Sequence, residues 1–219
     1  MLVVSDVYTL PDLLARAVNE HPDSDIVVFP NSRTTFTELY ERASKAARSL
    51  KAIGIKQGDS VGILMSNCIE FVDLLLGSQL IGAIPVPINA RYKAKELAYV
   101  IDDAGLKVLA TTDRIVEHVD FVKLLQEAFP DLENQADPMR LELSEARNLN
   151  SIILFGERMP TGMLDTETFE TLSKNIDEEA IEISRSRLQV RDIAMMMYTS
   201  GTTANPKGCP ITHEALVRP

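Results

Sequence analysis

SVGILM (60–65), CIEFVDLLLGSQLIGA (68–83) and IPVPI (84–88) follow one another almost without interruption. The first and third are short apolar runs, the pattern of a strand buried on both faces. The middle segment is too long for a strand and long enough for a helix. Two parallel strands need such a crossover between them. Downstream the alternation continues, with a charged helix over residues 93–104, a strand KVLAT (107–111), a helix near 115–128 and a strand SIILFG (151–156). This order predicts an α/β fold, doubly wound, with a mostly parallel sheet and helices on both faces.

Working outward, Thr9 caps a helix through TLPDLLARAVNEHP, with Pro11 tolerated in its first turn and His21-Pro22 ending it. IVVFPNSRTTFTELY gives a hairpin: a strand over residues 26–29, a polar turn over 31–33 and a second strand over 34–36. Thr37 opens a helix whose stripe is Leu39, Ala43, Ala46, Ala47, Leu50 and Ile53, with Gly54 as its stop. Residues 130–150 are polar and lack firm periodicity, which predicts a loop or a short, weak helix. A loop at Pro160-Thr161-Gly162, a helix over 166–174, an acidic segment DEEA and a last apolar strand IAMMMY (193–198) complete the chain. The whole, residues 1–219, is expected to be one continuous domain with its loosest connection around 130–150.

The chain of 219 residues has 22 Lys and Arg against 32 Asp and Glu, a net charge of −10. No basic block offsets this balance, which disfavours wholesale nucleic-acid binding while leaving room for a local basic site. The two cysteines, Cys68 and Cys209, are too few for a disulfide framework and sit in no CxxC pair, so a reduced, cytoplasmic setting is expected. The first residues lack a basic n-region, and the most apolar long window, 71–88, contains Asp73, Gln79, Pro85 and Pro87. Neither a secretory signal nor a transmembrane segment is expected.

The chemistry concentrates in YTSGTTANPKG (198–208). Hydroxyls at Thr199, Ser200, Thr202 and Thr203 surround Gly201, directly after an apolar strand and ahead of Lys207. Small residues let backbone N–H groups approach an anion, hydroxyls donate further hydrogen bonds, and a lysine adds a mobile positive charge. This is the composition of a polyphosphate cradle. It is not a Walker A loop: counted from Gly201, the second glycine is Pro206 and the hydroxyl residue is Gly208. A P-loop phosphotransferase is therefore the least favoured reading.

The same string resembles the signature of the adenylate-forming (AMP-dependent synthetase/ligase) superfamily, which includes acyl- and aryl-CoA synthetases, luciferases and peptide-synthetase adenylation domains. Its flanks, Asp192-Ile193-Ala194, Lys207-Gly208 and Thr212-His213 before Ala215-Leu216, look like those the family places around its phosphate loop, and the hairpin over 26–36, TFTELYERASKAARSL (35–50) and residues 58–111 resemble its N-terminal scaffold. The likeness is greatest to acyl-CoA synthetases. It implies that a carboxylic acid attacks the α-phosphate of Mg-ATP, giving an acyl-adenylate and pyrophosphate, and that coenzyme A then displaces AMP. Thr199, Ser200, Gly201, Thr202 and Thr203 would clamp the phosphates, with Lys207 as electrostatic supplement.

The resemblance implies no catalytic side chain and no metal ligand among these residues. The acyl pocket, the Mg2+-organising glutamate and the C-terminal domain would lie beyond Pro219, only about a dozen residues after Lys207. The expectation is thus an N-terminal fragment, inactive in adenylation alone and able to self-associate through uncovered apolar surface. The alternative is a non-catalytic nucleotide-binding or regulatory module of the same fold. Ala204 stands where many family members have glycine, and Pro210 predicts an edge position for its strand. Asn67, Arg91 and Tyr92 fit turn and helix-start roles, His213 a capping or packing role, His21 and His118 surface or loop positions. Asp102-Asp103 and Asp177–Glu179 fit solvated helix faces, and Met195-Met196-Met197 buried packing.

Overall fold

The computed structural model describes residues 9–114, 119–199 and 205–218. Helix α1 (Leu10–Glu20) starts on Thr9, whose hydroxyl accepts the Asp12 N–H while Asp12 reaches back to the Thr9 N–H. Strands β1 (Asp25–Phe29) and β2 (Ser32–Thr35) pair antiparallel as the expected hairpin. Helix α2 (Phe36–Ala52) begins one residue before Thr37, because Thr35 is its N-cap and forms a capping box with Glu38. Gly54 follows at φ 94°, a backbone state that glycine adopts without strain.

The core is a five-stranded sheet in the order β4-β3-β5-β6-β7, parallel throughout. Its members are β3 (Ser60–Leu64), β4 (Ile84–Pro87), β5 (Leu106–Thr112), β6 (Ser151–Phe155) and β7 (Leu164–Asp165). Helices α3 (Ile69–Leu80), α4 (Ala94–Asp103), α5 (Phe121–Ala128) and α6 (Thr166–Leu172) supply the crossovers and flanks. Alternate side chains divide between two cores. Val61, Ile63, Val108, Ala110, Ile153 and Phe155 join Ala43, Leu50 and Leu74 on one face. Leu64, Val86, Leu109, Ile152 and Leu154 meet Leu97, Ile101, Phe121 and Leu125 on the other. The α/β, doubly wound, mostly parallel architecture is therefore the one the alternation predicts.

Several elements differ from the sequence expectation. Helix α5 starts at Phe121, where Asp120 accepts from the N–H groups of Val122 and Lys123; residues 115–118, expected in this helix, lie outside the described residues. The stretch 130–150 has only a short 3-10 turn at Pro130–Asn134, yet Leu132, Leu141, Leu143, Ala146 and Leu149 are buried in a core. The acidic segment after residue 176 is a helix, α7 (Glu178–Ser186). Its buried face is ionic: Arg185, 5% exposed, donates to Asp12 at 2.7 Å and to Glu182 at 2.9 Å. The Tyr40 hydroxyl donates to Glu182 as well, so α1, α2 and α7 share one network.

Strands β8 (Ile193–Thr199) and β9 (Lys207–Thr212) form a separate antiparallel ribbon, followed by the short helix α8 (His213–Val217). Strand β8 lies beside β4 without joining its sheet, and β4 explains why. The N–H groups of Ile84 and Ile88 point to β3, donating to Asp59 and Ile63. The intervening positions that would donate outward are Pro85 and Pro87, so the outer edge of β4 has no N–H to offer.

Candidate phosphate-binding site

The ribbon sets the frame for the phosphate string. In its register Tyr198 stands opposite Gly208 and Thr199 opposite Lys207, so residues 200–206 form the connection between the two strands. Thr199 and Lys207 are exposed, facing each other at the mouth of that connection. Ser200, Gly201, Thr202, Thr203 and Ala204 lie outside the described residues. Pro206 is buried, and Pro210 stands opposite Met196 within the two-stranded ribbon, where every strand is an edge.

With no ladder to the main sheet, β8 is moored by side chains. Gln57 Nε2 donates to Asp192 Oδ2 at 3.0 Å, and the Gln189 N–H donates to the same oxygen at 2.9 Å. The buried Gln79 donates through Nε2 to the Ala194 carbonyl at 2.9 Å. At the far end, the Tyr198 hydroxyl donates to Asp103 Oδ2 at 2.6 Å while Tyr99 donates to Oδ1 at 3.1 Å. Burial and the Asp103 carboxylate both push the Tyr198 phenol well above its ordinary range, so it stays protonated and keeps donating. Met196 and Tyr198 pack on the α4–α5 core. A side chain at position 208 would meet Met196 Sδ at 3.0 Å and Tyr198 Cζ at 3.1 Å, which accounts for Gly208.

Asp103 is exposed at the end of α4, as the sequence predicts, but its hydrogen bonds to Tyr198 and Tyr99 were not foreseen. A signal was available: a carboxylate in the last turn of a helix opposes the macrodipole and invites a search for compensating donors. The methionine expectation needs correction for Met197, which is 39% exposed because alternate residues of β8 face away from the core.

His213 is 1% exposed, with its Nδ1 accepting the Leu10 N–H at 3.3 Å. Burial lowers its basicity, so the neutral imidazole is the relevant form. Thr212, not His213, caps α8 by accepting the Ala215 N–H. His21 is exposed, and His118 lies outside the described residues. Burial pushes the Cys68 thiol up to about 11, which leaves it a poor nucleophile, and Cys209 is an exposed strand residue opposite Met197.

A second concavity, of about 590 Å³, lies at the carboxyl ends of β5 and β6, near where the strand order reverses across β3. Its charges are used internally. Asp113 Oδ2 accepts the N–H groups of Glu157 and Arg158, Arg114 pairs with Glu70 at 2.8 Å, and Arg158 pairs with Asp120 at 2.6 Å. Among the described residues no group of three or more His, Cys, Asp or Glu is arranged to hold a metal ion, and no helix is long and apolar enough to cross a membrane. Among the described residues the exposed Lys207, at the mouth of the connection, is the kind of group that suits an anion such as a phosphate; nothing described fits Mg2+.

Comparison with known proteins agrees with this geometry. YngI of Bacillus subtilis (strain 168), named as an acyl-CoA synthetase, is 32% identical over 209 residues, covering 94% of this chain and 37% of YngI. The acyl-CoA ligase sidI of Aspergillus fumigatus is 30% identical over 211 residues, covering 95% of this chain and 34% of sidI. The crystal structure of the anthranilate CoA ligase AuaEII in complex with anthranoyl-AMP superposes with a TM-score of 0.72 at 25% identity, covering 94% of this chain and 35% of AuaEII. The chain thus spans about a third of the length of these relatives. The family described as AMP-binding enzyme matches residues 14–219, essentially the whole of the described fold, and the chain belongs to that family.

Proposed function

We propose that this chain is the N-terminal, phosphate-binding part of an ATP-dependent carboxylic acid–CoA ligase. In that reaction a carboxylate oxygen attacks the α-phosphorus of ATP, pyrophosphate leaves, and the thiol of coenzyme A then displaces AMP from the acyl-adenylate. A free carboxylate is a poor electrophile, and AMP supplies the leaving group. Thr199, Ser200, Gly201, Thr202 and Thr203 hold the β- and γ-phosphates through hydroxyl and backbone donors, and Lys207 offsets their charge. The observation that carries this reading is the ribbon register, which sets Lys207 opposite Thr199 at the mouth of a connection made of small and hydroxylated residues.

The residues that bind the acid, order Mg2+ and complete the adenylation chemistry belong to the part of the relatives that this chain does not span. On its own the chain binds phosphate and does not adenylate. The two free cysteines support a reduced, cytoplasmic setting. Exposed apolar side chains such as Met197 on β8 and Leu216 on α8 support self-association. Titration with inorganic pyrophosphate and with Mg-ATP tests the reading. Saturable binding that Lys207→Ala weakens about tenfold is expected for the loss of a charge-assisted contact. No binding up to concentrations on the order of 10 mM would overturn the clamp. Acid-dependent exchange of labelled pyrophosphate into ATP by the 219-residue chain would overturn the claim that it does not adenylate.

A further inference from the structure

We infer that Asp103 is a positioning residue for the phosphate loop, acting through Tyr198; the inference rests on the reading of residues 199–207 as a phosphate clamp. Asp103 is the last residue of α4, where a carboxylate opposes the helix macrodipole. Its two oxygens are occupied by phenols, Tyr198 on Oδ2 at 2.6 Å and Tyr99 on Oδ1 at 3.1 Å. Only the first of these reaches the loop.

Tyr198 directly precedes Thr199 and stands opposite Gly208. The ring lies against the strand that carries Lys207, close enough that a Cβ on Gly208 would sit 3.1 Å from Cζ and 3.2 Å from the hydroxyl oxygen. Its body is packed on the α4–α5 core and its hydroxyl is tied to α4, so the phenol is held at both ends. The neighbouring pair in the ladder is Thr199 and Lys207, the two stems from which the loop departs. Among the described residues no strand of the main sheet pairs with those stems, because Pro85 and Pro87 leave β4 without outward donors. The Gln79–Ala194 contact secures the start of β8 and the Asp103–Tyr198 contact secures its end. Asp103 therefore holds the Thr199–Lys207 pair, the two stems of the loop, in place.

The test uses the 219-residue chain with Asp103→Ala, Asp103→Asn, Tyr198→Phe and Tyr99→Phe. Three quantities are measured: affinity for inorganic pyrophosphate, amide hydrogen exchange across residues 207–209, and the urea midpoint. Asp103→Ala and Tyr198→Phe are expected to weaken pyrophosphate about fivefold and to speed that exchange, as the loss of one charge-assisted hydrogen bond implies. The urea midpoint of Asp103→Ala stays near that of the parent, since alanine suits the helix end better than aspartate. Asp103→Asn keeps an acceptor and recovers most of the affinity. Tyr99→Phe, which strips the other hydroxyl from the same carboxylate, stays within about twofold of the parent. Equal losses in Asp103→Ala and Tyr99→Phe that follow the urea midpoint would make Asp103 a structural residue only and overturn the inference. Parent-like affinity and exchange in Asp103→Ala and Tyr198→Phe would overturn it too. If the parent binds no pyrophosphate the clamp reading fails, and exchange across 207–209 decides the brace alone: faster in Asp103→Ala supports it, unchanged overturns it.

Discussion

The backbone N–H of Leu10 donates to Nδ1 of His213 at 3.3 Å, joining residues 203 positions apart. Leu10 is the first residue of α1, and its N–H is one of the donors that a helix start leaves without an intrahelical partner. The Thr9 hydroxyl takes the Asp12 N–H, and His213 takes this one. The His213 backbone is fixed in turn, donating to the Asp192 carbonyl just ahead of β8. The N-terminal helix is thereby coupled to the same ribbon that carries the phosphate string.

This contact makes stability depend on pH. Accepting through Nδ1 requires a neutral imidazole, and burial lowers the pKa of His213 in the folded chain below its ordinary value. A folded pKa below the unfolded one means that the unfolded chain binds the proton more readily. The stabilisation is therefore complete above the unfolded value of about 6.5 and is lost as pH falls through the folded pKa. We expect the urea midpoint to drop from about pH 7.5 to about pH 5.5, and His213→Gln, which accepts without titrating, to flatten that drop. A His213→Gln profile parallel to the parent's would show that another group is responsible.

Removing Arg185 should be among the more damaging single changes. Its guanidinium, 5% exposed, neutralises Asp12 and Glu182, which together with Tyr40 connect three helices. Arg185→Ala leaves two carboxylates facing each other without a cation. Complete burial would make that cost about 3–5 kcal/mol. Partial solvation of Asp12 and Glu182, 18% and 36% exposed, reduces the expected loss to about 2–3 kcal/mol. Urea denaturation at neutral pH measures it, and Arg185→Ala combined with Asp12→Asn and Glu182→Gln should recover part of the loss.

Arg185 also shows why α7 was illegible in the sequence. A helix is recognised by apolar residues at 3.6-residue spacing, and here the position one turn after the buried Ile181 is filled by a buried cation. Strands β3, β5 and β6 were legible because burial on both faces leaves continuous apolar runs such as SIILF. Their order across the sheet was not, since it depends on which faces the crossovers choose. The exclusion of β8 from the sheet could have been foreseen from Pro85 and Pro87, whose spacing removes donors from a single edge. The candidate phosphate string was conspicuous by composition. Its brace was not, because Asp103 and Tyr198 are 95 residues apart and only the folded chain brings them together.

Gly208→Ala probes the packing of the residue after Lys207 against Met196 and Tyr198. The added methyl would press on Met196 Sδ at 3.0 Å and on the Tyr198 ring at 3.1 Å, contacts tight enough to displace the ring. The sulfur can yield, so the stability cost should stay near 1 kcal/mol, about the low end for overpacking. Moving the ring also disturbs the Tyr198–Asp103 hydrogen bond. Pyrophosphate affinity should therefore fall about fivefold, more than so small a stability change would cause by itself. Calorimetric titration of the variant against the parent provides the comparison, and an unaltered affinity would detach Gly208 from the site.

Asp120 does two tasks at the start of α5, accepting the Val122 and Lys123 N–H groups and pairing with Arg158 through both oxygens at 2.6 and 3.1 Å. The Arg158 guanidinium holds its carboxyl below the usual carboxylate range. A depressed folded pKa means that this stabilisation is present above the unfolded value of about 3.9 and disappears as pH falls through the folded one. Asp120→Ala removes a helix cap and a half-exposed ion pair together, for an expected loss of about 1–2 kcal/mol at neutral pH. The same substitution should cost progressively less as both chains are taken towards pH 3 or so, where the parent's carboxylate is also being protonated. Paired urea titrations at the two pH values check this, and a cost that does not shrink on acidification would assign the effect to packing rather than to the charge on Asp120.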